Sequence, residues 1–84
     1  MVRIYSTSWC APCAAAKALL KSKGVSFTEV NIEEQGMTRN DLADLTGGAT
    51  VPQIIINDKC IGGYDSLMQL NQSGELDRMI EDAK

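Results

Sequence analysis

The 84-residue sequence has no histidine, only three cysteines, and no block of lysines and arginines. A zinc site within one chain would need four ligands from cysteine or histidine, so we expect no bound metal. The net charge of -3 and the scattered cations lack the basic cluster that nucleic-acid binding requires. No apolar run approaches the roughly 18 residues of a membrane span. We therefore expect neither a nucleic-acid partner nor a membrane.

The use of cysteine and the N-terminus bear on the compartment. An odd count of cysteines argues against a structural disulfide framework. Residues 1–5 are too short and too strand-like for a signal peptide. We therefore expect a cytoplasmic protein, in a reducing compartment where paired cysteines are more often catalytic or metal-binding than structural. The chain length predicts a single domain, residues 1–84, and we expect a monomer.

Apolar periodicity and turn residues predict the order β-α-β-α-β-β-α, with a further short helix at the end. The strands are expected at residues 2–5, 26–32, 53–56 and 59–61. The first helix is expected to begin at about residue 10 or 13 and to end at 23, and the others at 39–46, 66–73 and 76–80. The first β-α-β unit predicts a parallel strand pair with a right-handed crossover, and the late hairpin adds an antiparallel edge. The expected fold is α/β, with a four-stranded mixed sheet flanked by helices.

Two helix starts carry recognisable caps. Thr38 and Asp41 have the spacing of a capping box at the start of the second helix. Asp65 or Ser66 is expected to cap the third helix.

Cys10 and Cys13 form a Cys-Ala-Pro-Cys box between the first strand and an alanine-rich helix. Sites in open α/β sheets lie beyond the carboxyl ends of strands, where this box falls. Cysteines at such helix starts have pKa values lowered to roughly 3.5–7.5, because free N–H groups and the helix dipole favour the thiolate. We therefore predict thiol–disulfide exchange in which Cys10 attacks a substrate disulfide and Cys13 resolves the mixed disulfide. Pro12 suits the first turn, where its missing N–H costs nothing.

Three nearby residues have both a functional and a structural interpretation. Trp9 either flanks the box or belongs to the core. A cis bond before Pro52 would let the Val51 backbone pair with a substrate peptide like an added strand, although the local sequence favours a trans proline that opens a strand. Cys60 is either a small strand residue or a regulatory thiol.

Arg39 and residues 62–66 offer charges to a ligand. A cation in the first turn of a helix opposes the dipole, so Arg39 indicates an anionic partner unless it is a solvated surface residue. The run Gly-Gly-Tyr-Asp-Ser joins a flexible turn to a helix start that could bind a carboxylate through N–H groups. Asp65 would favour an adjacent ammonium. Both charges occur at the γ-glutamyl end of glutathione, and a plain helix cap is the alternative.

Three motifs in this order resemble those of the glutaredoxin family. They are the CxxC box after the first strand, Thr-Val-Pro-Gln at residues 50–53, and Ile-Gly-Gly-Tyr-Asp at residues 61–65. The resemblance covers essentially the whole chain. It implies a thioredoxin-like fold, a cis bond before Pro52, and glutathione as co-substrate with no tightly bound cofactor.

The same resemblance implies the glutathione-binding residues. Arg39 lies where the family has a basic or amide side chain for the glycyl carboxylate. Thr50 and Val51, next to Pro52, match the segment whose backbone pairs with the glutathione cysteine. The residues that match the γ-glutamyl pocket are Gly63, Tyr64, Asp65 and Ser66.

The chain also departs from the family pattern. Ala11-Pro12 replaces the usual Pro-Tyr between the cysteines, and Trp9 before the box is similar to thioredoxin. Thr7 stands where a lysine is common, and it flanks the site together with Trp9 and Pro12. Ser66 stands where a second aspartate is frequent.

These residues predict a glutathione-dependent dithiol oxidoreductase that reduces protein disulfides and glutathione mixed disulfides. One alternative is a redoxin reduced by thioredoxin reductase, which the Trp-Cys-Ala-Pro-Cys box favours. An alternative of another class is a dimer that binds an iron–sulfur cluster, with Cys10 of each chain and two glutathione thiols as ligands.

Overall fold

The computed structural model describes residues 2–83, which form four strands and four helices. The elements are β1 (Val2–Ser6), α1 (Ala11–Ser22), β2 (Thr28–Asn31), α2 (Arg39–Thr46), β3 (Gln53–Ile56), β4 (Lys59–Gly62), α3 (Tyr64–Ser73) and α4 (Glu75–Ala83). This order confirms the prediction, although β2 is shorter at both ends than expected. No helix within residues 2–83 combines the length and the apolar character that a membrane crossing needs.

The four strands form one mixed sheet in the order β2-β1-β3-β4. β1 runs parallel to β2 and antiparallel to β3, and the β3–β4 hairpin is antiparallel. Asn57 and Asp58 take left-handed conformations at the hairpin turn, with φ of 51° and 67°. The α/β class, the parallel β1–β2 pair and the antiparallel edge are therefore as predicted.

Each face of the sheet packs against its own helices, because strand side chains alternate between the two faces. Ile4, Ile54 and Ile56 lie in one core cluster with side chains of α1, α3 and α4. Tyr5 and Ile55 lie in a second cluster with Ile32 and with Leu42 of α2. The sheet is thus covered on both faces by helices, and β1 leads into α1 at one end of the strands.

The starts of α2 and α3 differ. Thr38 accepts a hydrogen bond from Asp41 N, and the Asp41 carboxylate accepts one from Thr38 N, so the predicted capping box is confirmed. The predicted side-chain cap of α3 is wrong: Gly63 occupies the N-cap position, and no side chain caps the helix. Gly62, with φ of 107°, lies at the end of β4, just before α3. The helix begins at Tyr64, so Asp65 lies within its first turn instead of before it.

Glu29 ties together the three elements of the first β-α-β unit. One of its carboxylate oxygens accepts hydrogen bonds from Lys17 Nζ on α1, at 2.8 Å, and from the hydroxyl of Ser6 on β1, at 2.7 Å. Lys17 first, and Ser6 second, hold the pKa of Glu29 below its ordinary value of 4.5. The buried Ser6 hydroxyl thereby has a partner at the end of β1, just before the cysteine box.

Glu29→Gln should weaken the fold above about pH 6 by no more than about 1 kcal/mol, since the Lys17 pair is partly exposed. The pKa of Glu29 is lower in the folded state, so its contribution is complete above the ordinary value and is lost as the pH falls through the lowered one. Urea unfolding at a series of pH values should show that the difference in unfolding free energy between wild type and Glu29→Gln shrinks as the pH falls through the lowered pKa of Glu29. Glu34→Gln, at an exposed position, is the control. An advantage that is constant with pH would contradict this assignment.

Candidate active site

Cys10 and Cys13 form a disulfide at the start of α1. Cys10 is the N-cap residue, and its Sγ accepts a hydrogen bond from the Cys13 N–H at 3.0 Å. Cys10 is half-buried, whereas Cys13 is only 1% exposed. After reduction, the same N–H and the positive end of the helix dipole would stabilise a thiolate at Cys10. The two sulfurs are therefore unequal in the way that the attacking and resolving roles require.

Val51 faces this disulfide from the start of β3. The Val51–Pro52 peptide bond is cis, and Pro52 is buried. The Cys10 Sγ lies 3.7 Å from the Val51 carbonyl oxygen. The cis bond implied by the resemblance is confirmed, and the prediction of a trans bond from the local sequence is wrong.

One cavity, of about 370 Å³, opens between Pro52 and the start of α3. Gly63 and Pro52 meet in its wall, where a Cβ on Gly63 would make an ordinary van der Waals contact with the Pro52 carbonyl oxygen, at 3.5 Å. The first turn of α3 has no side-chain cap, so its N–H groups are available to an anion. The lining residues are Pro12, Thr50, Val51, Pro52, Gly63, Tyr64, Asp65 and Ser66.

A second cavity, of about 450 Å³, is lined by Trp9 and by the start of α2. Trp9 is 92% exposed, so the interpretation of this residue as a core tryptophan is wrong. The Arg39 guanidinium donates a hydrogen bond to the Ala49 carbonyl at 3.2 Å, which links α2 to the loop before Thr50. The lining residues are Thr7, Trp9, Ile32, Glu33, Met37, Thr38 and Arg39.

Every residue that the sequence singled out for the site lies in the disulfide or in one of these two cavities. Sequence reasoning missed Ile32, Glu33 and Met37 in the second cavity, and it assigned Thr38 only as a helix cap, because a position in the same cavity as Trp9 has no local signal. Cys60 is exposed on β4 and lines neither cavity. Within residues 2–83, no three His, Cys, Asp or Glu side chains come together as a metal site.

The comparisons with known proteins agree with this geometry. A family model described as Glutaredoxin matches residues 2–61.

The chain belongs to the glutaredoxin family.

Members of this family are thiol–disulfide oxidoreductases, and so is this chain. The Glutaredoxin of Pseudomonas aeruginosa is 43% identical over 79 residues, which cover 94% of each chain. Glutaredoxin 3 of Escherichia coli K12 is 44% identical over 80 residues, which cover 95% of this chain and 96% of that protein. The crystal structure of a buckwheat glutaredoxin–glutathione complex aligns with a TM-score of 0.89 at 27% identity, over 98% of this chain and 77% of that one. The thioredoxin-like fold expected from the sequence is thereby confirmed.

In the reduced glutaredoxin, iodoacetamide should label Cys10 at least about tenfold faster than Cys13 near pH 7, because the thiolate is the reactive form. Cys10 Sγ accepts the Cys13 N–H and Cys10 is half-buried, whereas Cys13 is buried. Cys60→Ser removes the exposed third thiol, and peptide mass spectrometry gives the two labelling rates. Equal rates, or faster labelling of Cys13, would contradict the assignment of Cys10 as the nucleophile.

Proposed function

We propose that this glutaredoxin uses glutathione to reduce protein disulfides and glutathione mixed disulfides, with Cys10 attacking and Cys13 resolving. The observation that carries the proposal is a disulfide at a helix N-terminus, flanked by two cavities that each contain charged or hydrogen-bonding groups. One cavity presents uncapped N–H groups beside the Asp65 carboxylate, and the other presents the Arg39 guanidinium. A tripeptide with an ammonium and two carboxylates has charges to match both.

The reaction proceeds by two sulfur exchanges. The Cys10 thiolate attacks one sulfur of a protein disulfide, so a Cys10–substrate bond forms and the substrate S–S bond breaks. The departing thiolate takes a proton from solvent. Cys13, deprotonated in turn, then attacks Cys10 Sγ, which releases the second substrate thiol and leaves the Cys10–Cys13 disulfide. Two glutathione thiols reduce this disulfide in the same manner and leave as glutathione disulfide.

The fit of glutathione is proposed from the polar groups around the disulfide. The Thr50–Val51 backbone beside Cys10 would pair with the glutathione cysteine. The N–H groups at the start of α3 would hold the γ-glutamyl carboxylate, and the Asp65 carboxylate would hold its ammonium. This pocket consists of Gly63, Tyr64, Asp65 and Ser66. Arg39 would hold the glycyl carboxylate. Thr7, Trp9 and Pro12 border these two cavities.

The proposed setting is the cytoplasm, with disulfide-containing or glutathionylated proteins as partners of a monomer. A reducing compartment supports this proposal, since it keeps glutathione available as the electron donor. The E. coli and P. aeruginosa relatives are named as glutaredoxins and align with almost the whole chain, which supports the same class of activity.

A second candidate keeps the chemistry but takes electrons from thioredoxin reductase. Trp9 favours it, because a 92% exposed indole next to Cys10 in the sequence could pack against a protein partner, as tryptophans often do at interfaces. The two candidates separate when the same disulfide substrate is offered with each donor system. Turnover with glutathione and glutathione reductase supports the first proposal, and turnover with thioredoxin reductase alone replaces it with the second.

Cys10→Ser should abolish turnover in the glutathione and glutathione-reductase assay, since Cys13, the other cysteine at the helix start, is buried. Cys13→Ser should lose the reduction of protein disulfides but keep some removal of glutathione from mixed disulfides, which needs only one thiol. Cys60→Ser, at the exposed third thiol, is the matched control and should keep wild-type rates. Full activity in Cys10→Ser would contradict the mechanism.

Asp65→Asn should raise the KM for glutathione about two- to fivefold, because it removes the negative charge opposite the γ-glutamyl ammonium. Asp58→Asn makes the same change at the exposed hairpin turn and should leave the KM unchanged. Steady-state rates at varied glutathione give both values. If the two variants change the KM equally, net charge and not the proposed pocket is responsible.

A further inference from the structure

Gln53 is a polar side chain buried in an otherwise apolar strand. It is 5% exposed, and the other residues of β3 are three isoleucines. A primary amide moved out of water costs free energy unless its groups find hydrogen-bond partners. The partners of this amide therefore indicate what holds it there.

Both partners of the amide belong to Thr50. Gln53 Nε2 donates to the Thr50 carbonyl oxygen at 2.9 Å and lies 3.3 Å from the Thr50 hydroxyl. These bonds span Val51 and Pro52, the segment that contacts the Cys10 sulfur. The buried amide is thus bonded to the backbone immediately before the proposed substrate-pairing residue.

Peptide planarity passes this constraint on to Val51. The Thr50 carbonyl and the Val51 N–H belong to one trans peptide unit, in which the two groups point in opposite directions. Because the buried Gln53 amide holds the Thr50 oxygen, the Val51 N–H points away from that amide. Rotation of this peptide unit would break the bonds to Gln53 and would turn the N–H away from its observed direction.

Gly48 leaves the space that the Gln53 amide occupies. A Cβ on Gly48 would lie 2.6 Å from Gln53 Nε2 and 3.2 Å from its amide carbon. The backbone of Gly48 is not left-handed, in contrast to Gly47 with φ of 86°, so its conformation does not itself call for glycine. The packing against Gln53 is what a larger residue would disturb.

The rest of the loop is held at the neighbouring residues. Thr46 Oγ1 accepts a hydrogen bond from Gly48 N at 3.3 Å, and Arg39 donates to the Ala49 carbonyl at 3.2 Å. Of these loop contacts, the one from Gln53 to Thr50 lies nearest to Val51 in the sequence. We infer that Gln53 is a positioning residue of the active site, which orients the Thr50–Val51 peptide toward a bound peptide disulfide, and that Gly48 makes room for it.

This inference rests on the proposed function, since the orientation of Val51 matters only if a peptide disulfide pairs with it. It therefore predicts an effect that depends on the substrate. Glutathione disulfide has a peptide backbone that could pair with Val51, whereas 2-hydroxyethyl disulfide has no peptide group. A residue that only stabilised the fold or the Cys10 thiolate would affect both substrates alike.

The test is a single-turnover oxidation of the reduced protein by each disulfide, followed by the fluorescence of Trp9, the only tryptophan. Gln53→Met keeps the size of the side chain but removes its donors. It should slow oxidation by glutathione disulfide about three- to tenfold, the value of one hydrogen bond, and change the rate with 2-hydroxyethyl disulfide less than about twofold. Gln72→Met, at an exposed position of α3, should change neither rate.

Gly48→Ala reaches the same contact from the other side. It should slow oxidation by glutathione disulfide selectively, because the new methyl group displaces the Gln53 amide. In a Gln53→Ala background the methyl group has room, so Gly48→Ala should then have little further effect. This non-additivity assigns the effect of Gly48 to Gln53, and Gly48→Ala alone still tests the inference if the Gln53 variants do not fold.

The outcomes separate the inference from the proposed function. Unchanged selectivity in folded Gln53→Met or Gly48→Ala, or an equal loss of rate with both disulfides, would overturn the positioning role alone. A wild-type protein that reacts equally fast with both disulfides would contradict peptide recognition in the proposed function, and the inference with it. A selective loss in both variants, with additivity broken in the double variant, supports the assignment.

Discussion

The antiparallel pairing of β1 with β3 is the constraint on which the site depends. Because Tyr5 lies opposite Gln53, the chain that leaves β1 and the chain that enters β3 meet at the same end of these two central strands. Cys10 follows the first and Val51 precedes the second, so sulfur and carbonyl lie 3.7 Å apart across 41 residues. A register shift of one residue would move the buried isoleucines of β3 to the opposite faces. The core and the active site are therefore specified by one set of backbone pairings.

The three helices α1, α2 and α3 begin at this end of the strands, and they differ in how the N–H groups of their first turns are capped. α1 begins on the sulfur of Cys10, so the dipole that favours a thiolate acts on the reactive atom itself. α2 closes its own start with the Thr38–Asp41 capping box. α3 begins at Gly63 without a side-chain cap, so the donors that a capping residue would otherwise engage face a cavity. The N-terminus of α1 thus acts on the reactive sulfur, that of α2 is capped by its own side chains, and that of α3 has no side-chain cap.

Local sequence signals predicted most of the fold, because each depends on residues a few positions apart. The Thr38–Asp41 capping box and the strand at residues 53–56 both appear in the structure where expected. The start of α3 is the exception, since Gly63 and not Asp65 or Ser66 occupies the N-cap position. The glutaredoxin resemblance also anticipated the cis bond before Pro52, which the local sequence alone did not favour.

By itself, the sequence determined the order of elements, the Cys10–Cys13 box at a helix start, and hence the thiol–disulfide chemistry. These depend on spacing within a single turn or strand. Only the tertiary structure decided that Trp9 is exposed beside Arg39, that Val51 faces the sulfur, and that the Gln53 amide fills the space left by Gly48. The reason is physical: exposure, cavities and the partners of a buried polar group arise from how folded segments pack together, which spacing along one segment does not specify.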